Sequence, residues 1–342
     1  MFVTGHTGFK GSWLCLWLQT LGSEVTGYSM GVPTSPSLFE LADIASGMRA
    51  SVTGDVANYD QLRAAIGSSR PEIVFHLAAQ SLLRRSYERP IETYRTNVMG
   101  TVNLLEAVRQ EGGTQVIINV TTDKCYESRE WVWGYRENDR LGGTDPYSNS
   151  KACAELVSDA YRTSYFNQRR LRLATGRGGN VIGGGDWATE RLVPDIMAAA
   201  MMGRPVEIRH PDAVRPWQHV LDCLSGYLML AERLWQCGVD VGAWNFGPEE
   251  TDSRSVRWVV ERLSVLWKGG IRWQPQGGDH PHEAYRLKLD CSKARAELGW
   301  GPRWDLNKTL ETIVAWYETY QAGGDIRGLT AAQIRAYAAD KI

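Results

Sequence analysis

Three short runs in this 342-residue chain bring together residue types that do chemistry. The first is Gly5-His6-Thr7-Gly8-Phe9-Lys10-Gly11, a GxxGxxG that follows the apolar, β-prone run Met1-Phe2-Val3-Thr4. Glycines at this spacing allow a tight turn, close approach of a pyrophosphate, and close packing of the next helix on the strand. The helix N-terminus then offers free N–H groups and its dipole to the anion. Such loops are common, and it is the place of this one at the opening of a β-α-β pattern that gives it weight. The second run is Tyr147-Ser148-Asn149-Ser150-Lys151, a YxxxK. A spacing of four puts Tyr147 and Lys151 on one helix face, one turn apart. Asp145-Pro146 reads as the N-cap and first residue of that helix. A tyrosine, with an ordinary pKa of ~10, is a poor base at neutral pH. A neighbouring ammonium, an oxidised nicotinamide and a helix N-terminus would all favour its phenolate. Taken alone, the two residues could equally be a surface pair. The third run is Thr122-Asp123-Lys124-Cys125-Tyr126, at the carboxyl end of an apolar strand. It offers a hydrogen-bond donor, an acid and an amine where ligands of parallel sheets sit. On its own it reads as well as a solvated loop.

Cofactor selectivity is less legible. An acid ending the second strand would hold an adenine ribose diol, but that strand ends in Tyr28-Ser29. Asp55, after the third strand, is a candidate for the adenine edge and could also be a plain turn aspartate. Bound dinucleotide should therefore be held less tightly than where a ribose-gripping acid is present.

These runs need elements to hold them in place. Strands are expected at 1–4, 24–28, 50–53, 72–77 and 115–120, the last of them the clearest buried strand. Helices are expected at 9–21, 59–66 and 97–109. Near-continuous apolar strands alternating with helices predict an α/β fold with a parallel sheet covered on both faces. The second half is less regular. Helices are expected at 192–202, 220–234, 256–267 and 306–320, and strands at 243–246 and 271–273. Glycines crowd residues 176–185. No repeat, low-complexity tract or linker separates the halves.

Composition sets the outer limits. A length of 342 suggests about two domains or lobes. A net charge of −1 argues against nucleic-acid binding, which usually shows a basic excess. The uncharged stretch from Gly11 to Ser23 is too short for a membrane helix, which needs about 20 apolar residues. With no basic-then-apolar leader, a cytoplasmic location is expected. Six scattered cysteines without a CxxC pair or Cys/His cluster predict reduced thiols and no metal site. The 14 tryptophans suggest aromatic surfaces for packing, ligand or partner.

Taken together, the motifs resemble the extended short-chain dehydrogenase/reductase family. The markers are Gly5-x-x-Gly8-x-x-Gly11, Gly54-Asp55, His76-Leu77-Ala78-Ala79, Thr96-Asn97-Val98-x-Gly100-Thr101 and the YxxxK. Within it the chain is most similar to the CDP-glucose 4,6-dehydratases. That likeness rests on Gly5 to Trp13, Thr122 to Tyr126, Glu130-Trp131-Val132-Trp133-Gly134-Tyr135-Arg136-Glu137, Gly179-Asn180 to Trp187, Arg215 to Val220, and His282-Glu283-Ala284 with Leu287 to Asp290. It runs from residue 2 to about residue 317. Sibling dehydratases acting on dTDP-glucose carry Glu where this chain has Lys124. Departures are few. The chain starts inside the first strand, where relatives carry several more residues, so that strand is expected to be short. Gly178 and Asn149 replace Ala and Ser, and the segment from Gln168 to Arg172 is shorter than in relatives.

The resemblance implies a Rossmann-type doubly wound sheet and a smaller C-terminal substrate-binding lobe. Residues 1–180 would bind NAD and 181–342 the sugar nucleotide, with about 217–246 returning to the first domain. It implies conversion of CDP-glucose to CDP-4-keto-6-deoxyglucose, for deoxysugars of cell-surface polysaccharide. Tyr147 would deprotonate the 4-hydroxyl, with Lys151 and Thr122 positioning both partners. Lys124 would remove the C5 proton and Asp123 would protonate the leaving 6-hydroxyl. The implied NAD contacts are Gly5, Thr7, Gly8, Phe9, Lys10, Gly11, Asp55, Leu77, Ala78, Gln80, Asn97, Tyr147 and Lys151. Asn180 and Arg215 would hold the substrate pyrophosphate, with Arg191, Trp217, Asn245 and His282 as further substrate residues, although any one of these arginines could be a surface charge. Trp131, Trp133 and Tyr135 could form a lid, a subunit contact or ordinary loop packing. A homodimer or homotetramer is implied, with a four-helix contact through 97–109 and 147–166. Leu104, Val108, Val157, Tyr161 and Tyr165 could supply it, or could be buried within the subunit. The competing readings are an epimerase or dehydratase for another sugar nucleotide, which Asp123-Lys124 argues against in the epimerase case, and a nucleotide-sensing module without catalysis.

Overall fold

The computed structural model describes residues 1–167, 171–236, 242–277 and 287–340. Seven strands form the main sheet: β1 (Phe2–Thr4), β2 (Thr26–Ser29), β3 (Ala50–Thr53), β4 (Ile73–His76), β5 (Val116–Val120), β6 (Arg172–Gly178) and β7 (Gly242–Phe246). All pair in parallel, in the order β7-β6-β5-β4-β1-β2-β3. The order reverses between β1 and β4, so a crevice opens at their carboxyl ends, where such sheets bind ligands. The Gly5 loop follows β1 and Leu77 follows β4, at that reversal.

Successive residues of a strand face opposite sides. Phe2, Val74, Ile117 and Leu173 therefore pack with helices α2 (Tyr59–Ser69) and α3 (Gly100–Glu111). Their neighbours Val3, Phe75, Ile118 and Ala174 enter the larger core with α1 (Phe9–Thr20) and, later in the chain, Val220–Trp235. Strands covered on both faces have no polar alternation, which is why β5 is buried at all five positions. Helix α4 (Pro146–Tyr161) lies beside α3. The second half supplies α5 (Leu192–Met201), α6 (Val220–Trp235), α7 (Val256–Leu266), α8 (Leu306–Gln321) and α9 (Ile326–Ala339). Three short strand pairs join 181–182 to 218–219, 206–208 to 273–275, and 214–216 to 253–255. Helix α9 returns to the first half. Arg327 donates to the Ala42 carbonyl at 2.8 Å, and Trp17 meets Tyr337 edge-on at 5.7 Å. No helix among the described residues is long and apolar enough to cross a membrane.

Several sequence expectations shift. β6 is hidden in the glycine-rich stretch because α6 packs against it without room for side chains. A Cβ on Gly176 would lie 2.6 Å from the Tyr227 ring, and one on Gly178 would lie 2.6 Å from Cys223 Sγ. The strand expected at 271–273 spans Trp273–Pro275, and residues 95–99 form a π turn ahead of α3. Short helices at 83–88 and 90–94, and α9 itself, were not expected. Leu104 and Val108 do not face outward. The helical period places both on the sheet side of α3, where they are fully buried. Val157 and Tyr161 are half-buried against the same layer, and Tyr165 is exposed.

Candidate active site

The glycine loop is shaped by close approaches rather than by side chains. Gly5 has φ +72°, a left-handed backbone suited to glycine, and a Cβ there would lie 2.8 Å from the Ala78 nitrogen. A Cβ on Gly11 would sit 2.1 Å from the Gly5 carbonyl oxygen, so α1 can close on the turn only with glycine. Gly8 caps α1 without a side-chain bond. Thr7 donates to the Gly31 carbonyl at 2.6 Å, tying the loop to the segment after β2. His6 is a structural residue. Its ring lies over Gly27, against Phe39, and bonds Ser51 at 2.7 Å, and burial lowers its pKa to about 4.

The far wall is braced from beneath. Thr4 Oγ1 accepts from the Leu77 and Ala78 N–H groups, at 3.1 Å each. Asn97 Oδ1 accepts from the Gln80 N–H at 2.8 Å, and Asn97 Nδ2 donates to the Gln80 carbonyl and to Ser150 Oγ. Gln80 and Asn97 thus fasten the loop after β4 to the first turn of α4. At the other side, Asp55 Oδ1 accepts from the Ala57 N–H at 2.9 Å in a local turn. The buried Ser29 hydroxyl, at the end of β2, has no partner.

Thr122 and Asp123 lie just past the end of β5, after Thr121, and are both buried. The Thr122 hydroxyl donates to Asp123 at 3.0 Å, and the Lys124 N–H reaches Thr122 Oγ1 at 3.4 Å. Burial holds the Asp123 carboxyl above its ordinary range, against the pull of Lys124, the Thr122 hydroxyl, Lys10 and Arg215. Gly179 makes room for it, since a Cβ there would fall 1.9 Å from Asp123 Cγ. Asn180, in the left-handed region at φ +49°, points its amide to Asp123 Oδ2 at 3.4 Å. Lys124 is half-buried beside them.

Asp145 caps α4, accepting from the Ser148 N–H at 2.8 Å, with Pro146 as the first helical residue. That fixes where Tyr147 and Lys151 emerge. Burial pushes the Tyr147 phenol up to about 12, while a hydrogen bond with Thr122 and the charge of Arg191 oppose the rise. Lys151 is buried and donates to the Val120 carbonyl at 3.1 Å; burial, then Lys10, lowers its pKa to about 8.

The structure therefore gathers Thr122, Asp123, Lys124, Tyr147, Lys151, Lys10, Asn180, Arg191 and Arg215 around one crevice. Arg191 is held by Asp186 at 3.0 Å and Ser81 at 2.8 Å. Two expected substrate residues are not brought there. Asn245 is fully buried. Its amide accepts from Tyr126 and donates to the Tyr135 and Asp290 carbonyls, which braces the sheet edge. Trp217 belongs to the core and donates to the Arg254 carbonyl. His282 lies outside the described residues. Tyr135 stacks on Tyr126 inside the loop, whereas Trp133 is exposed.

Residues 1–241 match the NAD dependent epimerase/dehydratase family. The chain belongs to this family. Its similarity to the CDP-glucose 4,6-dehydratase of Salmonella typhimurium is 52% identity over 98% of this chain and 95% of the relative. To a dTDP-glucose 4,6-dehydratase of Xanthomonas campestris it is 27% identical, covering 93% of each. The solved dTDP-glucose 4,6-dehydratase of Bacillus anthracis with NAD superposes with a TM-score of 0.77 at 26% identity, covering 96% of this chain and 98% of that one. The UDP-glucose 4-epimerase of Thermotoga maritima gives 0.80 at 22% identity, covering 93% and 98%.

The residues present fit the cofactor of the family. The Gly5–Gly11 turn leaves the helix N-terminus bare for a pyrophosphate, and Ser29 presents a buried, unpartnered hydroxyl at the end of β2. Sequence reasoning missed the supports: Ser81 and Asp186 behind Arg191, Ser150 behind Asn97, and Gly179 beside Asp123. It also missed a buried ion pair, Glu155–Arg177 at 2.8 Å. Glu155 stands four residues after Lys151 on the same face, and that spacing was the available signal.

Proposed function

We propose that this protein dehydrates CDP-glucose to CDP-4-keto-6-deoxyglucose in deoxysugar biosynthesis. The carrying observation is the buried Thr122-Asp123 pair, with Lys124 beside it, facing Tyr147 at the carboxyl edge of β5. Gly5, Thr7, Gly8, Phe9, Lys10, Gly11, Asp55, Leu77, Ala78, Gln80 and Asn97 would hold NAD, which when bound would supply a hydride acceptor for C4 and a hydride donor for C6. Tyr147 takes the proton of the 4-hydroxyl, and Lys151 stabilises the phenolate while Thr122 orients it. The ketone acidifies the C5 hydrogen, and Lys124 removes that proton. Asp123, whose carboxyl burial raises above its ordinary range, gives its proton to the 6-hydroxyl, which leaves as water. A proton then returns to C5, so the net change is the loss of one water. Each positioned acid or base contributes about a hundred- to ten-thousand-fold.

Asn180, Arg191 and Arg215 hold the diphosphate; a guanidinium fork suits its oxygens. A cavity of about 540 Å³, lined by Glu190, Arg84, Arg204, Arg209 and others, takes the nucleoside half. Its wall at Glu190 adjoins Arg191 in the chain. Functionally, residues 1–180 serve the cofactor and 181–342 the substrate, with 217–246 returning; β7 and α6 packing on the main sheet supports that return. The protein works in the cytoplasm as a homodimer or homotetramer. Exposed Tyr87, Ile91, Met99 and Leu156, on the segment 83–99 and on α4, support such a contact in place of Leu104 and Val108.

The test is incubation with CDP-, dTDP- and UDP-glucose, reading the alkaline absorbance of a 4-keto sugar. Product from CDP-glucose in strong preference is the expected result. Product from another nucleotide alone would overturn the substrate, and none from any would overturn the activity.

A further inference from the structure

Tyr147, Lys151 and Glu155 recur every four residues along one face of α4. This face meets the end of β5 residue by residue. Lys151 donates to the Val120 carbonyl, Thr121 donates to Glu155, and Asn119 donates to Ser158 at 2.9 Å. The other Glu155 oxygen accepts from Thr175 at 2.7 Å and from Arg177 at 2.8 Å, both on β6. Arg177 in turn donates to Tyr126 at 2.7 Å and to the Glu137 carbonyl at 3.0 Å. The ion pair is almost wholly buried, at 3% and 4% exposure. Three donors, one just past β5 and two on β6, therefore fix the carboxylate one helical turn behind Lys151.

A buried ion pair is weak evidence for stability, because desolvation offsets its attraction. A fixed charge beside a buried ammonium has another use. We propose that Glu155 is a positioning residue of the redox pair, its clamped carboxylate being the counter-charge that keeps Lys151 cationic beside Tyr147. This rests on the reading of Tyr147 and Lys151 given above. The groups acting on Lys151 come from several elements. His76 of β4 is neutral, its pKa lowered to about 3 by burial, then by Lys151. The Cys125 thiol, after β5, is pushed well up by burial and stays protonated. Tyr147 shares α4. The charges left are Lys10 of α1, which opposes the Lys151 cation, and Glu155, which favours it. Arg177 holds Glu155 ionised in spite of its burial.

The sign follows directly. Activity needs the Lys151 cation, so the first hydride transfer fails as pH rises through the Lys151 pKa. Removing the Glu155 charge lowers that pKa and moves the basic limb to lower pH, by about one unit for a near opposite charge. Single-turnover reduction of NAD by CDP-glucose is measured against pH in three variants. Glu155→Gln with Arg177→Met removes both charges without stranding a buried guanidinium, and its limb moves down. Arg177→Met alone removes the group that holds the carboxylate ionised, so burial neutralises Glu155 and this limb moves down as well. Thr175→Val keeps both charges, and its limb stays at the wild-type pH whatever its rate. A limb that stays put in whichever charge variant folds, judged by circular dichroism, overturns the proposal. Failure of the underlying reading looks different: Tyr147→Phe would still reduce NAD.

Discussion

At the residue scale the decisive side chain is Lys124. Replacing it with Met spares Tyr147 and Lys151, so oxidation at C4 proceeds while elimination stalls for want of a base. Reduced nicotinamide should accumulate in a single turnover with CDP-glucose, and overall turnover should fall by about a hundred- to ten-thousand-fold. Tyr147→Phe should give no reduced nicotinamide. Normal turnover of Lys124→Met, or its failure at the first step, would remove Lys124 from the C5 role. Gly179 tests the neighbouring acid. A methyl group there would overlap Asp123 Cγ, so Gly179→Ala should displace the carboxyl and lower kcat while the circular dichroism spectrum stays native. The acid, the amine and the tyrosine were legible as a pattern of types and spacing. What surrounds them was not: that Gly179 leaves the space for Asp123 is a fact of packing between β5 and the end of β6. Asn245 misled for the same reason. The resemblance implied it as a substrate residue, and only the contacts of Tyr126, Tyr135 and Asp290 show its amide fully taken up.

At the scale of elements, the caps and the glycine turn carry the site. Asp145 holds the first turn of α4, and Asp145→Ala should destabilise the protein by about 1 kcal/mol, read as a shift in the chemical denaturation midpoint. Because that turn carries Tyr147, kcat should fall too. The end of β2 offers Ser29 and no acid to the adenine ribose. Protein purified without added NAD should therefore be at least partly empty, and a full equivalent surviving extensive dialysis would contradict this. Strands β1, β4 and β5 were legible because burial on both faces leaves apolar runs. β6 was not, because the closeness of α6 demands Gly176 and Gly178, and glycine erases the β signal. Helix α9 was missed because its buried face mixes Thr330 and Gln333 with Ile326, Ile334 and Tyr337, which blurs the apolar stripe.

At the scale of the molecule, a buried polar knot ties α6 to the segment that leads into α8 and to α9. Asp222 of α6 accepts from the Tyr337 hydroxyl at 2.7 Å and from the Arg303 N–H at 2.7 Å, and burial pushes its carboxyl up to about 6. An unfolded aspartate has a pKa of about 3.9, so the folded state binds this proton more tightly. Its contribution is full below that value and is lost as pH rises towards 6. Asp222→Asn should thus gain stability relative to the wild type between pH 4 and 6, seen as diverging denaturation midpoints. Parallel midpoints would show that Asp222 does not titrate there.

The return of α9 to α1 also bears on how the chain is made. Trp17 leaves the ribosome early, yet the ring it packs against, Tyr337, follows 320 residues later. Until then the outer flank of α1 is bare, and Ala42 waits for the Arg327 guanidinium. The nucleotide-binding half therefore cannot finish folding as an independent first domain during synthesis. That flank closes only when α9 docks on it.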